Sequence, residues 1–120
     1  MKIAVTSTGT ELTSEMDPRF GRAAYFLIID SATLEFDVIE NIQSLNVPQG
    51  AGIQAGKAIV DSGAGVLITR NCGPKAFTVL NRAGIDVVTG AGGRVIDVVR
   101  QYTDGNFRSA DKANVEGHWK

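Results

Sequence analysis

A strand–helix–strand unit in the second half of the chain limits the folds open to it more than any other feature. Val66-Leu67-Ile68-Thr69 is a short apolar run of β-favouring residues. Pro74 then sits where a first helical residue belongs, and Ala76, Phe77 and Leu80 follow at helical spacing to about Arg82, with Gly84 as a C-terminal stop. Ile85-Asp86-Val87-Val88-Thr89 is the next β run. It leads through Gly90-Ala91-Gly92-Gly93 into a helix carrying Val95, Val98, Val99 and Tyr102 at i, i+3, i+4 and i+7. Two strands joined through a helix of this length pair in parallel with a right-handed crossover. Their C-terminal ends share one edge, and in open α/β sheets that edge is where ligands bind.

The first half supplies the remaining strands. Lys2–Thr6 is a short β-type run, Ser7–Glu15 a polar loop, and Asp17–Arg22 a turn-like hexapeptide with two arginines flanking Phe20. Ala24–Asp30 reads as an apolar strand, and Ser31–Thr33 as a tight connection. Leu34–Glu40 reads as a half-exposed edge strand whose charges blunt one face. Asn41–Gly50 is a predicted loop in which Pro48 marks the approach to a helix over Ala51–Ser62. Two internal glycines weaken that helix and predict that it packs tightly on a sheet. The expected fold is α/β: a five-stranded mixed sheet of order 3-2-1-4-5, with helices on its faces. Residues 1–105 form the domain, and 106–120 read as a polar, flexible tail containing His118 and Trp119.

Several function classes fall away on bulk grounds. A net charge of −1 from 12 basic and 13 acidic residues lacks the excess of a general nucleic-acid binder. One cysteine supports neither an intramolecular disulfide nor a Cys-only zinc or iron–sulfur site. No apolar run approaches the ~20 residues needed to span a membrane. The N-terminus runs directly into a strand without a signal peptide, so a cytoplasmic location is expected. The lone histidine leaves no Ser/His/Asp or Cys/His constellation, so a non-enzymatic role is expected.

The candidate site follows from the shared edge. Parallel strands bring together the loops beginning at Ser7 and Thr8, Arg70-Asn71-Cys72-Gly73, and Gly92-Gly93-Arg94. The antiparallel second strand brings Arg19 and Arg22 to the same edge. Together with Lys75, these cations surround two predicted helix N-termini, each favouring an anion by ~0.3–1 kcal/mol. Glu11, Glu15 and Asp17 oppose part of that field. Cys72, at a helix start, is expected to have a lowered pKa and to offer a soft thiolate contact to a metal; the competing reading is a small residue packed as a hydrophobe. Arg19 and Arg22 clamp an anion, or one of them pairs with Asp17 or Glu15. The glycine-rich turn at 90–93 lacks the third small residue of a dinucleotide loop, because Val95 occupies that place.

Met-Asp-Pro-Arg-Phe-Gly-Arg-Ala at 16–23, the Cys-Gly-Pro turn and the glycine-rich turn before the last helix resemble the dinitrogenase iron–molybdenum cofactor biosynthesis family over roughly residues 1–105. The resemblance implies a ribonuclease H-like fold and non-covalent binding or carrying of anionic heterometal–sulfide clusters. In small stand-alone members the cluster is a molybdenum–copper sulfide; elsewhere it is another molybdenum or iron sulfide. It further implies that 70–73 and 90–93 face the cluster, and that partner proteins deliver or receive it. Some relatives use a histidine within the domain; here the only histidine is His118, which favours a site held by charge and hydrogen bonds. One thiol leaves most metal positions unfilled, so the bound species brings its own sulfide. The alternatives are an oxyanion-binding regulatory or interaction module and, more distantly, a metal-dependent nuclease. The latter needs a carboxylate in the first strand, and Ile3–Ser7 has none.

Overall fold

A computed structural model describes residues 1–41 and 51–107. Most of the expected 41–50 loop, Pro48 included, lies outside the described residues, as does the tail from 108 to 120 with His118 and Trp119. The elements are β1 (Lys2–Ser7), β2 (Tyr25–Asp30), β3 (Phe36–Glu40), α1 (Ala51–Ser62), β4 (Val66–Ile68), α2 (Pro74–Arg82), β5 (Asp86–Val88) and α3 (Val95–Thr103). The sheet runs β3-β2-β1-β4-β5, the order expected from the sequence. β2 pairs antiparallel to both β1 and β3, whereas β4 pairs parallel to β1 and β5.

The period-2 alternation of each strand divides the apolar residues between two cores. Ile3, Val5, Leu27, Ile29, Val66, Ile68 and Val88 face α3, whose Val95, Val98 and Val99 close that side. Ala4, Phe26, Ile28, Leu67 and Val87 face α1 and α2, meeting Ala55, Ile59, Ala76, Phe77 and Leu80. Burial on both faces explains why the central strands read as unbroken apolar runs.

Two local expectations are corrected. Leu34 lies outside the edge strand, with φ at +63°. Asp30 pulls the connection tighter than a simple strand return: its Oδ1 accepts the Ala32 and Thr33 N–H groups at 2.8 and 3.2 Å, and its carbonyl accepts Leu34 N–H at 2.8 Å. Those two backbone donors hold the Asp30 carboxyl below its ordinary pKa. Leu34 tolerates the left-handed backbone because its side chain packs on the α3-side core with Phe36.

The glycines of α1 serve a helix rather than the sheet. A Cβ on Gly56 would lie 3.0 Å from Val79 Cγ1, and one on Gly52 would lie 3.2 Å from the Ala76 Cβ, so both open the α1–α2 contact. Gly56→Ala brings ~0.5–1 kcal/mol of helix propensity but must push Val79 aside. Urea denaturation should therefore show no gain for Gly56→Ala alone and a gain of about that size when Val79→Ala is already present. Strict additivity of the two substitutions would refute the contact.

Candidate functional site

At the C-terminal end of β1 the chain is knotted to its neighbours by buried polar groups. Thr6 Oγ1 donates to the Asp17 carbonyl at 2.6 Å and lies 3.1 Å from Thr69 Oγ1, while Asp17 N–H donates to the Thr6 carbonyl at 3.0 Å. Thr6, Asp17 and Thr69 are all buried. The Asp17 carboxylate organises the hexapeptide. Oδ1 accepts Arg19 N–H at 3.0 Å and Arg19 Nε at 3.4 Å, and Oδ2 accepts Ala24 N–H at 3.2 Å. Asn41 Nδ2 closes the turn by donating to the carbonyls of Gly21 and Ala23 at 3.1 and 3.0 Å. Phe20 is driven inward against Phe26, their ring centroids 5.5 Å apart.

From that knot, residues 15–19 form a ribbon along the rim. Isolated backbone β-bridges link Ser7 to Met16, Glu15 to Arg94, and Arg19 to Asn71. Met16 N–H donates to the Gly93 carbonyl at 2.8 Å, and Asn71 N–H to the Pro18 carbonyl at 3.0 Å. The 70–73 and 90–93 loops are tied directly: Gly90 N–H donates to the Arg70 carbonyl at 3.0 Å. A Cβ on Gly92 would sit 3.1 Å from Arg70 Nη1, so this glycine leaves room for the guanidinium. The four segments foreseen in the sequence thus converge on one edge.

Within that edge the individual residues differ. Arg19, Arg22, Arg70, Gly92, Gly93 and Arg94 are exposed, as is Thr8, whose hydroxyl donates to the Glu15 carbonyl at 2.9 Å. Asn71 and Gly73 are half-buried. Ser7 is buried, and its hydroxyl turns into its own loop, donating to the Gly9 carbonyl at 2.7 Å. Arg19 pairs with Asp17, and Arg94 Nε pairs with Asp97 at 3.0 Å.

The two helix starts are not equivalent, contrary to the sequence expectation. Val95 and Ile96 N–H groups donate to the Ser14 and Leu12 carbonyls, both at 2.9 Å, so the first turn of α3 is already satisfied by the 8–15 loop. The start of α2 has Gly73 as N-cap, no side-chain cap and no acidic residue in its first turn. Of these two ends, the start of α2 is the one that keeps the field of a helix terminus for an anion.

Cys72 also departs from expectation. It is wholly buried among Ala4, Phe20, Ala23, Phe26 and Ala76. Desolvation pushes its thiol up to about 12 rather than down. A helix end contributes ~0.3–1 kcal/mol and is outweighed by the cost of placing a thiolate in an apolar core. Among the described residues, no group of three or more His, Cys, Asp and Glu side chains is gathered to hold a metal ion. Sequence reasoning passed over Thr6 and Thr69, and it named Asp17 as a counter-charge and arginine partner, which it is, but not as the acceptor that closes the turn. A threonine ending each of two neighbouring parallel strands, and an aspartate opening the hexapeptide, were the available signals.

Comparison with known proteins places this geometry in a group. The family model for dinitrogenase iron–molybdenum cofactor matches residues 1–105. An uncharacterized protein of Methanocaldococcus jannaschii is 30% identical over 110 residues, 89% of each chain. The apo form of the orange protein from Desulfovibrio gigas superposes with a TM-score of 0.92 at 43% identity, covering 95% of this chain and 96% of that one. A putative NifB protein from Thermotoga superposes at 0.77 with 31% identity, covering 90% and 91%.

Burial of Cys72 makes stability depend on pH. The unfolded thiol loses its proton near the ordinary value of 9.0, the folded one only near about 12. Between those values the unfolded state binds fewer protons, so stability contributed by the neutral thiol is complete below pH 9 and falls as pH rises toward 12, by up to ~1.4 kcal/mol per unit. Urea titrations at successive pH values should give a flatter alkaline limb for Cys72→Ala than for the natural chain. Parallel limbs would contradict a thiol held neutral by the core.

Proposed function

The chain belongs to the dinitrogenase iron–molybdenum cofactor family, and on that premise we propose that it is a non-enzymatic, cytoplasmic carrier of an anionic molybdenum-containing metal–sulfide cluster. The cargo is of the molybdenum–copper or iron–molybdenum-precursor type and is held without covalent attachment. The observation that carries this reading is the junction of the 70–73 and 90–93 loops with the arginine-bearing ribbon at one sheet edge, where Arg70 lies against Gly92.

The donor set fits a cargo that arrives with its own sulfide ligands. The single thiol is neutral and enclosed, its Sγ 3.7 Å from the Gly73 carbonyl, so it stays out of the donor set. Holding is left to the guanidiniums of Arg19, Arg22, Arg70 and Arg94, to the Lys75 ammonium, to the N–H groups at the start of α2, and to Thr8 and Asn71 at the margin. Charge-assisted donors of this kind recognise terminal oxo and sulfido groups strongly. Gly73, Gly92 and Gly93 let a bulky anion approach the backbone. The likeness to an orange protein solved in its apo form supports a rim built before cargo arrives.

Reconstitution tests the reading. Protein mixed under anaerobic conditions with tetrathiomolybdate and copper should develop visible absorbance that co-elutes with the chain. Arg70→Glu should weaken that uptake about tenfold or more at low ionic strength, with the difference shrinking at high salt. Cys72→Ser, once folded, should take up the probe as the natural chain does. Uptake indifferent to Arg70→Glu would remove the electrostatic hold. Binding of molybdate or phosphate without coloured-cluster uptake would instead favour an oxyanion-sensing module, which the same arginines would serve.

A further inference from the structure

Two rim arginines are held in the same way, each by a carboxylate at its Nε. Arg19 donates from Nε to Asp17 Oδ1 at 3.4 Å, and Arg94 donates from Nε to Asp97 Oδ2 at 3.0 Å. In each pair the carboxylate comes from the arginine's own segment, two residues before Arg19 and three after Arg94. The arginine side chains stay about half exposed, at 52% and 53%. Neither Nη pair makes a hydrogen bond among the described residues. Arg19 lies in the rim ribbon and Arg94 beside it, their backbones bridged to Asn71 and to Glu15 of the ribbon respectively.

A guanidinium carries five N–H donors in a planar fork. A carboxylate at Nε occupies its side and leaves the two Nη groups, the end that clasps an anion through two parallel hydrogen bonds. We infer that Asp97 and Asp17 are positioning residues, which hold the Arg94 and Arg19 forks so that they engage terminal sulfido or oxo groups of the cargo end-on. The inference rests on the cargo reading above. It adds a role for two carboxylates that simple charge counting would treat as hindrances. Fixing a long side chain in its bound orientation removes an ordering loss that would otherwise oppose binding.

Charge alone and positioning predict opposite signs. Asp97→Asn raises the net charge by one and, through the field alone, should tighten the hold on an anion. Positioning requires the reverse: affinity for tetrathiomolybdate, read by calorimetry and visible titration, should fall about threefold as the fork is released. Asp97 is the residue to change, because its side chain is 39% exposed whereas Asp17 is buried and also ties backbone groups. Asp97→Glu, which keeps a carboxylate within reach, should restore part of the loss, and far-UV circular dichroism should be unchanged throughout. In an Arg94→Ala background, Asp97→Asn should have no further effect. Tighter or unchanged binding by Asp97→Asn, an effect that persists without Arg94, or uptake indifferent to Arg94→Ala would each overturn the positioning role. A natural chain that binds tetrathiomolybdate neither alone nor with copper would remove the cargo reading itself, which keeps the two failures apart.

Discussion

The buried Asp17 carboxylate is the constraint on which the rim depends. It accepts N–H groups from Arg19 within the hexapeptide and from Ala24 just beyond it, so the intervening turn closes around it. Its own backbone is locked to Thr6, and the Thr6 hydroxyl in turn reaches Thr69 at the end of β4. One acidic residue thereby couples two parallel strands, a turn and the ribbon that follows the sheet edge. Loss of such an acceptor leaves two part-buried amide donors without it, at up to ~1–3 kcal/mol each, a sizeable share of the stability of a domain this size. Burying a carboxylate is tolerable here because a guanidinium and two amides face it, and the guanidinium is one of the groups that gives the rim its charge.

The architecture was legible because its determinants are local. β4, α2 and β5 each declare themselves over a few residues, and parallel pairing with a right-handed crossover agrees with the observed place of β1 between β2 and β4. What was not legible depended on who touches whom. The glycines of α1 announce close approach, but only the packed structure shows that the approaching atoms belong to Val79 and Ala76 of a neighbouring helix. Leu34 looks like a strand residue because its hydrophobicity is recruited to the core from a left-handed turn set by Asp30.

The same distinction explains the site. That the loops after β1, β4 and β5 would meet follows from strand direction alone. Whether a helix N-terminus is available does not, because the carbonyls of Leu12 and Ser14 come from a distant loop to satisfy Val95 and Ile96. The pKa of Cys72 turned on a competition between a helix end and burial. Sequence reveals the first and hides the second, and burial prevails.

These departures converge on a mode of holding. With α3 already capped and the thiol neutral, the proposed hold on an anion rests on guanidiniums and on the start of α2, not on metal–sulfur bonds. A thiolate facing the rim would exchange with the sulfides of a thiometallate and become one of its ligands, so release would require breaking a covalent bond. Guanidiniums and amides engage the outer atoms of such an anion and leave its metal coordination intact. Bonds of that kind are individually weak, directional and exchangeable for water, and they can be surrendered one at a time to an acceptor that presents a better set. On the carrier reading proposed above, enclosing Cys72 does more than fill space: it keeps the one thiol of the chain away from a cargo that would be passed on whole.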